Sequence, residues 1–145
     1  MLKRINYISR FVQDMSDDEI VELASQAAKN NAENDITGVL MANGGLFFQI
    51  IEGPEENIDK LFKDISKDPR HEKIITLGIQ SGDLKRLFPN WHMREINLDT
   101  TTSERLLPVR AIIDAVYAQS AIIETLTEAL AAAAWAELLV LNPKN

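Results

Sequence analysis

Cysteine is absent from this 145-residue chain. Its absence removes disulfides, thiol nucleophiles, Cys-type zinc sites and thiol adducts to a cofactor from consideration. Histidine is scarce: the 2 present, His71 and His92, lie far apart with no ligand spacing for zinc, so no metal site is expected. Positive charge is short as well. The 15 Lys and Arg against 22 Asp and Glu leave a net charge of −7, with a pI near 4.8. Nucleic acid and anionic membranes require a basic face, so neither is an expected partner. No long uncharged apolar run occurs either. The most apolar stretch, near the C-terminus, holds Glu124, Glu128 and Glu137 and does not read as a membrane span. Met1-Leu2-Lys3-Arg4 leads into a strand-like segment with no signal-peptide core, which makes a cytoplasmic location the default.

What the chain does have is ordinary in bulk, 46% apolar and 26% charged, and long enough to bury a core as one domain with an appended element. Its most informative local feature is Gln49, within Leu46-Phe47-Phe48-Gln49-Ile50-Ile51. That run is apolar on both alternating faces, as in a central strand. A carboxamide there must find partners, because a buried polar group left unpaired costs roughly 1–3 kcal/mol. Tyr7, Trp91, Met93 and a ligand are the candidates. A buried amide that can exchange donor and acceptor roles is a potential switch.

Hydrophobic periodicity and punctuation give the element order. Ile5–Ser9 reads as a first strand. Ser16-Asp17-Asp18-Glu19 is a capping box that opens a helix to about Asn31. The apolar face of that helix narrows to Ala24, Ala27 and Ala28, which implies either close helix–sheet contact or room for a flat ligand. Ile36–Met41 and Leu46–Glu52 are strands around the hairpin signal Asn43-Gly44-Gly45. Gly53-Pro54 opens a second helix with Pro54 near its first position, and Ile58, Leu61, Phe62 and Ile65 form its buried stripe. Lys73–Ile79 and Trp91–Leu98 read as further strands. Thr101 with Glu104 is another possible capping box, ahead of a long helix from about Glu104 to the mid-130s. The expected fold is α+β: a ferredoxin-like βαββαββ sheet with two helices on one face, plus a long C-terminal helix. The expected division is a domain over residues 1–98 and a linker with a helical segment over 99–145.

Taken singly, the polar and aromatic residues have bland readings. Tyr7, alternating with Ile5 and Ser9, reads as core with a satisfied hydroxyl. Asn30-Asn31 reads as a C-cap pair. Trp91 and Met93, two apart on one strand face, read as core filler. Arg70-His71-Glu72-Lys73 reads as a solvated turn. Their order along the chain is more specific. Tyr7-Ile8-Ser9, Lys29-Asn30-Asn31, Ile36-Thr37-Gly38, Phe47-Phe48-Gln49 with Glu52-Gly53, Asp68-Pro69-Arg70-His71 and Phe88-Pro89-Asn90-Trp91-His92-Met93 follow one another. This set resembles the BLUF domain, a blue-light sensor that uses a bound flavin, over about Leu2 to Leu98.

The resemblance implies a non-covalent flavin, FAD or FMN, and a role for each matching residue. Tyr7 is implied as electron and proton donor to the excited isoalloxazine. Gln49 is implied as the bridge between the Tyr7 hydroxyl and the flavin N5/O4 edge. Asn31 is implied at the polar edge of the ring, with Asn30 or Lys29 nearby. Arg70 and His71 are implied at the ribityl-phosphate end, and Asp68 at the ribityl hydroxyls. Met93 and Trp91 would report the state of Gln49, with Ser9 one layer out. An added hydrogen bond to flavin O4 would shift absorption to the red, whether Gln49 rotates or tautomerises.

After Ser103, Val109, Ile112, Val116, Gln119, Ile123, Leu126, Leu130 and Ala133 follow a 3-4 spacing, the seam of a coiled coil with one polar position at Gln119. Ile113, Tyr117 and Ile122 broaden the apolar surface. Such a helix either folds back on its own sheet or pairs with a second copy, and a homodimer is the favoured expectation. The core and the Leu107-Pro108 helix are similar to the light-sensing portion of photoactivated adenylate cyclases. No cyclase residues are present, so signalling through a partner or fused effector is expected rather than turnover. The end of the chain, Leu141-Asn142-Pro143-Lys144-Asn145, falls near where an effector would begin. Two other classes compete. One is an acylphosphatase-like enzyme, for which Arg10-Phe11-Val12-Gln13 offers no phosphate cradle. The other is a light-independent ferredoxin-like regulatory or dimerisation domain.

Overall fold

The alternation of Ile5, Tyr7 and Ser9 with Arg4, Asn6 and Ile8 belongs to a strand, β1, that runs Leu2–Phe11, longer than the apolar signal suggests. The computed structural model describes residues 1–141. Residues 142–145, where the chain would approach an effector, lie outside the described residues. Helix α1 (Asp17–Glu33) starts from a complete capping box, the Glu19 backbone N–H donating to Ser16 Oγ and the Ser16 N–H to Glu19 Oε1. It ends on Asn34, and Asp35 makes the reversal with φ +54°. Asn30 and Asn31 therefore sit inside the helix and not at its cap, a correction to the C-cap reading.

Strands β2 (Thr37–Asn43) and β3 (Leu46–Pro54) pair antiparallel around Gly44 and Gly45. Both glycines have positive φ, +56° and +83°, as a two-residue hairpin turn of this hand requires. Helix α2 (Glu55–Lys67) has Pro54 as its N-cap, one position earlier than the sequence suggested. Strand β4 (His71–Gly82) follows, then an irregular segment, then β5, which is only Arg94–Asn97. The sheet order is β4-β1-β3-β2-β5, with β5 parallel to β2 and every other pair antiparallel. The neighbours β4-β1-β3-β2 stand in the ferredoxin-like order and β5 extends the edge beside β2.

Ile20 and Ala24 of α1 and Ile58 of α2 share one buried cluster with Ile5, Tyr7, Phe47 and Ile51. Both helices thus cover the same face of the sheet. Ala24 and Ala28 of the narrowed α1 stripe serve that packing. The opposite face carries a polar row built from direct cross-strand partners: Gln80, Arg4, Glu52 and Thr37.

Helix α3 runs Leu107–Leu141, later at both ends than expected. Thr101 Oγ1 accepts from Ser103 N–H instead of completing a capping box with Glu104, and a turn over 104–106 precedes the helix. The root of α3 is tied down within the first of two compact units, Met1–Arg110. Both Asp99 carboxylate oxygens accept from the Gly44 N–H (2.9 and 3.1 Å), Arg110 pairs with Asp99 at 3.2 Å, and Asn43 Nδ2 donates to Arg110 O at 3.3 Å. The second unit begins at Ala111 and is helical throughout its described residues. Ile112, Ile122, Ile123, Leu126 and Leu130 are exposed on it. No helix among the described residues is long and apolar enough to cross a membrane.

Candidate functional site

Cross-strand register brings Tyr7 of β1 opposite Gln49 of β3, and Gln49 opposite Leu40 of β2. Direct antiparallel partners point to the same face, and here that face lies beneath the helices. Between sheet and helices is a cavity of about 190 Å³. Tyr7, Ser9, Phe47, Gln49 and Leu40 form its floor. Leu23, Gln26, Ala27, Asn30 and Asn31 from α1, and Leu61 and Ile65 from α2, form its walls. Asp68, Arg70 and His71 stand at one side and Met93 at another. Ala27 borders the space, so the small-residue stripe of α1 serves both the core and this opening.

The Tyr7 hydroxyl donates to Gln49 Oε1. Gln49 Nε2 donates to Met93 Sδ at 3.7 Å, a weak acceptor. Burial raises the Tyr7 pKa far above its ordinary value, so the phenol keeps its proton. Among the described residues, Ser9 Oγ and His71 Nδ1 are buried without a hydrogen-bond partner. Both belong to the cavity lining. Unanswered buried polar atoms are rare in native folds.

Asp68 and Arg70 form a close pair: Arg70 Nε donates to both carboxylate oxygens (2.9 and 3.0 Å) and Nη2 to Oδ2 at 2.6 Å. The Arg70 hydrogen bond holds the Asp68 carboxyl below its usual range, and Asp68 raises Arg70 in return. The Arg70 backbone N–H also donates to Asp68 Oδ1 at 2.9 Å. His71, packed against the Phe11 ring, is pushed below the ordinary imidazole value by desolvation. The turn is thus only partly solvated: Arg70 is exposed, whereas His71 turns inward.

Asn31 is buried, and its Nδ2 donates to His92 O at 2.6 Å. Its amide therefore reaches the segment before β5 as well as the cavity. Asn30 lines the cavity and is exposed, while Lys29 is absent from the lining.

Trp91 and Met93 are not on a strand. Parallel pairing with β2 begins only at Val39↔Arg94. Before that point the Gly38 N–H donates to Trp91 O and the Asn31 side chain takes His92 O, so the backbone is held by single contacts and not by a ladder. The two side chains consequently part company. Met93 is 7% exposed against Gln49, and Trp91 is 41% exposed, stacked near Phe88 with the Arg94 guanidinium over its ring. Of the candidate partners for Gln49, Tyr7 and Met93 are in place and Trp91 is not.

Sequence reasoning missed Phe11, Gln26, Leu40, Leu61 and Ile65 as cavity residues. Leu61 and Ile65 were legible only as a core stripe, and nothing in a helical apolar pattern distinguishes packing from lining.

A family model described as "BLUF: Sensors of blue-light using FAD" matches residues 2–94. The photoactivated adenylate cyclase subunit beta of Euglena longa is 37% identical over 106 residues, covering 70% of this chain and 12% of that protein. A solved bacterial light-regulated adenylyl cyclase superposes with a TM-score of 0.78 at 38% identity, over 86% of this chain and 36% of that one. BlrB, solved as a BLUF protein in its dark state, gives a TM-score of 0.64 at 34% identity, over 74% of this chain and 79% of that one. The chain therefore spans a small part of the cyclases that it matches.

Proposed function

This chain belongs to the BLUF family, the flavin-using sensors of blue light, and on that premise we propose that light switches it through the Tyr7–Gln49 pair. The observation that carries the reading is the setting of the Gln49 amide: its oxygen takes the Tyr7 proton donor, and its nitrogen faces only a thioether. Such an amide has a weak bond to give up and a strong one to exchange.

The residues of the cavity fit a flavin. Leu23, Ala27, Leu61 and Ile65 offer apolar walls to a flat ring system, and Ser9 Oγ and His71 Nδ1 are unanswered polar atoms at its margin. Asn30, Asn31 and Gln49 offer carboxamides to the polar edge of a ring. Asp68, Arg70 and His71 stand where a ribityl tail would leave. Arg70 reaches a phosphate only by sharing itself with Asp68. When bound, a flavin supplies blue absorption and an excited state that accepts an electron.

The chain supplies the rest. Tyr7 is a neutral phenol whose proton lies on the hydrogen bond to Gln49. Loss of an electron makes a phenol strongly acidic, so the proton leaves along that bond. Gln49 then presents a donor where it presented an acceptor, by rotation or by shifting a proton between its oxygen and nitrogen. Electron and proton both return to Tyr7 as the Gln49 amide settles into its new arrangement, so nothing is turned over. Only the hydrogen-bond pattern is left to relax in the dark, and the chain acts as a sensor, not an enzyme. Met93 loses or gains its contact with Nε2 in step and passes the change to the segment holding Trp91 and to β5.

The output runs through the second unit. We assign residues 1–98 to sensing and 99–145 to signalling, with Asp99, Arg110 and Asn43 joining the hairpin to the root of α3. The exposed seam of Ile112, Ile123, Leu126 and Leu130 suits a second copy of the helix, which gives a homodimer. Its effector is a fused or separate signalling protein, and the net charge of −7 argues against nucleic acid. A cytoplasmic setting agrees with this output.

A spectrum of the purified protein before and after blue light tests the reading, together with chromatography of the extracted pigment. A flavin spectrum with a small, dark-reversible red shift supports it. A preparation that stays colourless when offered FAD, FMN and riboflavin overturns it.

A further inference from the structure

Glu52 is the one carboxylate buried to 1% exposure in the described fold, and the switch just described does not use it. It lies on β3 three residues beyond Gln49 and so points to the opposite face of the sheet. Its oxygens accept from Arg4 Nε at 2.9 Å, from the Leu87 N–H at 3.0 Å and from the Phe88 N–H at 3.1 Å. Arg4 extends the row, donating to Gln80 Oε1 at 2.7 Å and Lys85 O at 2.6 Å. Arg86 closes the other side through Thr37 Oγ1 (3.0 Å), Asp35 O (2.8 Å) and the Asp35 carboxylate (3.1 Å).

Residues 85–88 are thus bound to the back of β3 by charged hydrogen bonds, the strong class in proteins. Five residues later the same segment delivers Met93 to Gln49 on the front of β3. Between the two attachments stand Pro89, Asn90, Trp91 and His92, held by the Gly38 N–H to Trp91 O, Asn31 Nδ2 to His92 O and the contact of His92 Nδ1 with Ile36 O at 2.8 Å. The segment has a charged anchor on the back of β3, neutral hydrogen bonds to Asn31, Ile36 and Gly38 along its length, and a weak, switchable contact to Gln49 on the front of β3.

We propose that Glu52 is a positioning residue of the light switch: by fixing the Leu87 and Phe88 backbone it holds Met93 against Gln49 with Trp91 outside, and so sets the lifetime of the lit state. This rests on the Tyr7–Gln49 reading. A change at Gln49 cannot be relieved by sliding the whole segment, because its near end is clamped. It must be taken up between Pro89 and Met93. Loosening the clamp lets the segment follow Gln49 in both directions and lowers the barrier to return.

The test uses the full flavin-loaded chain in a Trp135→Phe background, so that Trp91 is the sole indole. Glu52→Gln keeps the shape and removes the charge, while Glu52→Asp keeps the charge and withdraws it by one carbon. Both should bind flavin and show the red shift. Dark recovery should quicken on the order of tenfold in Glu52→Gln, as expected when charged hydrogen bonds are exchanged for neutral ones. Glu52→Asp should fall between it and the parent, and it alone carries the test if the other does not fold. Trp91 fluorescence decay should gain a second component in the dark, which a loss of stability alone would not produce. Recovery within twofold of the parent together with an unchanged Trp91 decay, in either flavin-loaded variant, would overturn the proposal. So would loss of flavin from both folded variants. A parent with no red shift would instead overturn the switch reading, and this inference with it.

Discussion

Tyr7 and Gln49 face each other across β1 and β3 as direct register partners, and their side chains are joined by a hydrogen bond from the phenol to the amide oxygen. Neighbouring strands of one sheet thus hold both members of the pair, and no loop motion is needed to bring them together. Preorganisation of this kind fixes the geometry before any photon arrives.

Gln49→Leu should bind flavin and lose the light-induced red shift. The substitution keeps the volume roughly and strands the Tyr7 hydroxyl, at a stability cost of about 1–3 kcal/mol. Absorption spectra of the illuminated variant check the first outcome, and urea unfolding checks the second.

Tyr7→Phe should keep its colour and lose the photocycle. The ring packing against Phe62 survives the change, while the electron and proton source does not. Trp91 lies outside the cavity lining, so it should not take over. Cycling at the parental rate would move the donor elsewhere.

Much of this was legible in the sequence, and the reasons differ from residue to residue. Gln49 stood out because an amide inside an apolar run must be answered, wherever the run is placed. The capping box at Ser16 was readable because its partners are three residues apart and local. Trp91 and Met93 were misread as strand neighbours. Alternation indicates which residues share a face only where a ladder exists, and β5 begins after both of them. Asn30 and Asn31 read as a cap because the reversal at Asp35 uses a left-handed conformation that the sequence does not advertise. Glu52 stands in the sequence only as a member of the resembling set, and nothing there marks it as buried, since a carboxylate at the end of a strand usually faces water. Its burial depends on residues 85–88 returning to the sheet, which no local pattern encodes.

Met93→Ala should preserve flavin binding while removing the thioether that faces Gln49 Nε2. A buried methionine truncated to alanine costs about 2–5 kcal/mol, with the lower end expected beside a cavity. The rate of dark recovery should change, because the amide loses one of its two protein contacts. Recovery traces at matched temperature check this.

Stability should fall as pH drops below the ordinary imidazole range, with part of the fall due to His71. Its folded pKa is depressed by desolvation, against an opposing pull from Asp68 and with Arg70 acting in the same direction as burial. The unfolded chain therefore binds the proton more readily, so the contribution is complete above about pH 6.5 and is lost as pH falls through the lower folded value. Asp68 adds a second decline at more acid pH, through the range below the ordinary carboxylate value, because its pair with Arg70 favours the ionised form. Melting temperatures of the parent and of His71→Gln between pH 5 and 8 should converge toward the acid end.

Leu126→Glu should convert a dimer to a monomer without touching the flavin spectrum. Leu126 is exposed on the α3 seam of the single chain, and a charge there would have to be buried between two helices. Sedimentation at several concentrations checks the mass. A parent that is monomeric at high concentration would remove the coiled-coil assignment.

Light-minus-dark infrared spectroscopy of the flavin C4 carbonyl stretch tests the rearrangement at Gln49 most directly. The expected result is a lower-frequency carbonyl band in the illuminated parent and no such change in Gln49→Leu, because the Gln49 amide is the group whose donor and acceptor roles the switch exchanges. A carbonyl band that does not move in the parent, or moves equally in Gln49→Leu, would contradict a switch built on Tyr7 and Gln49.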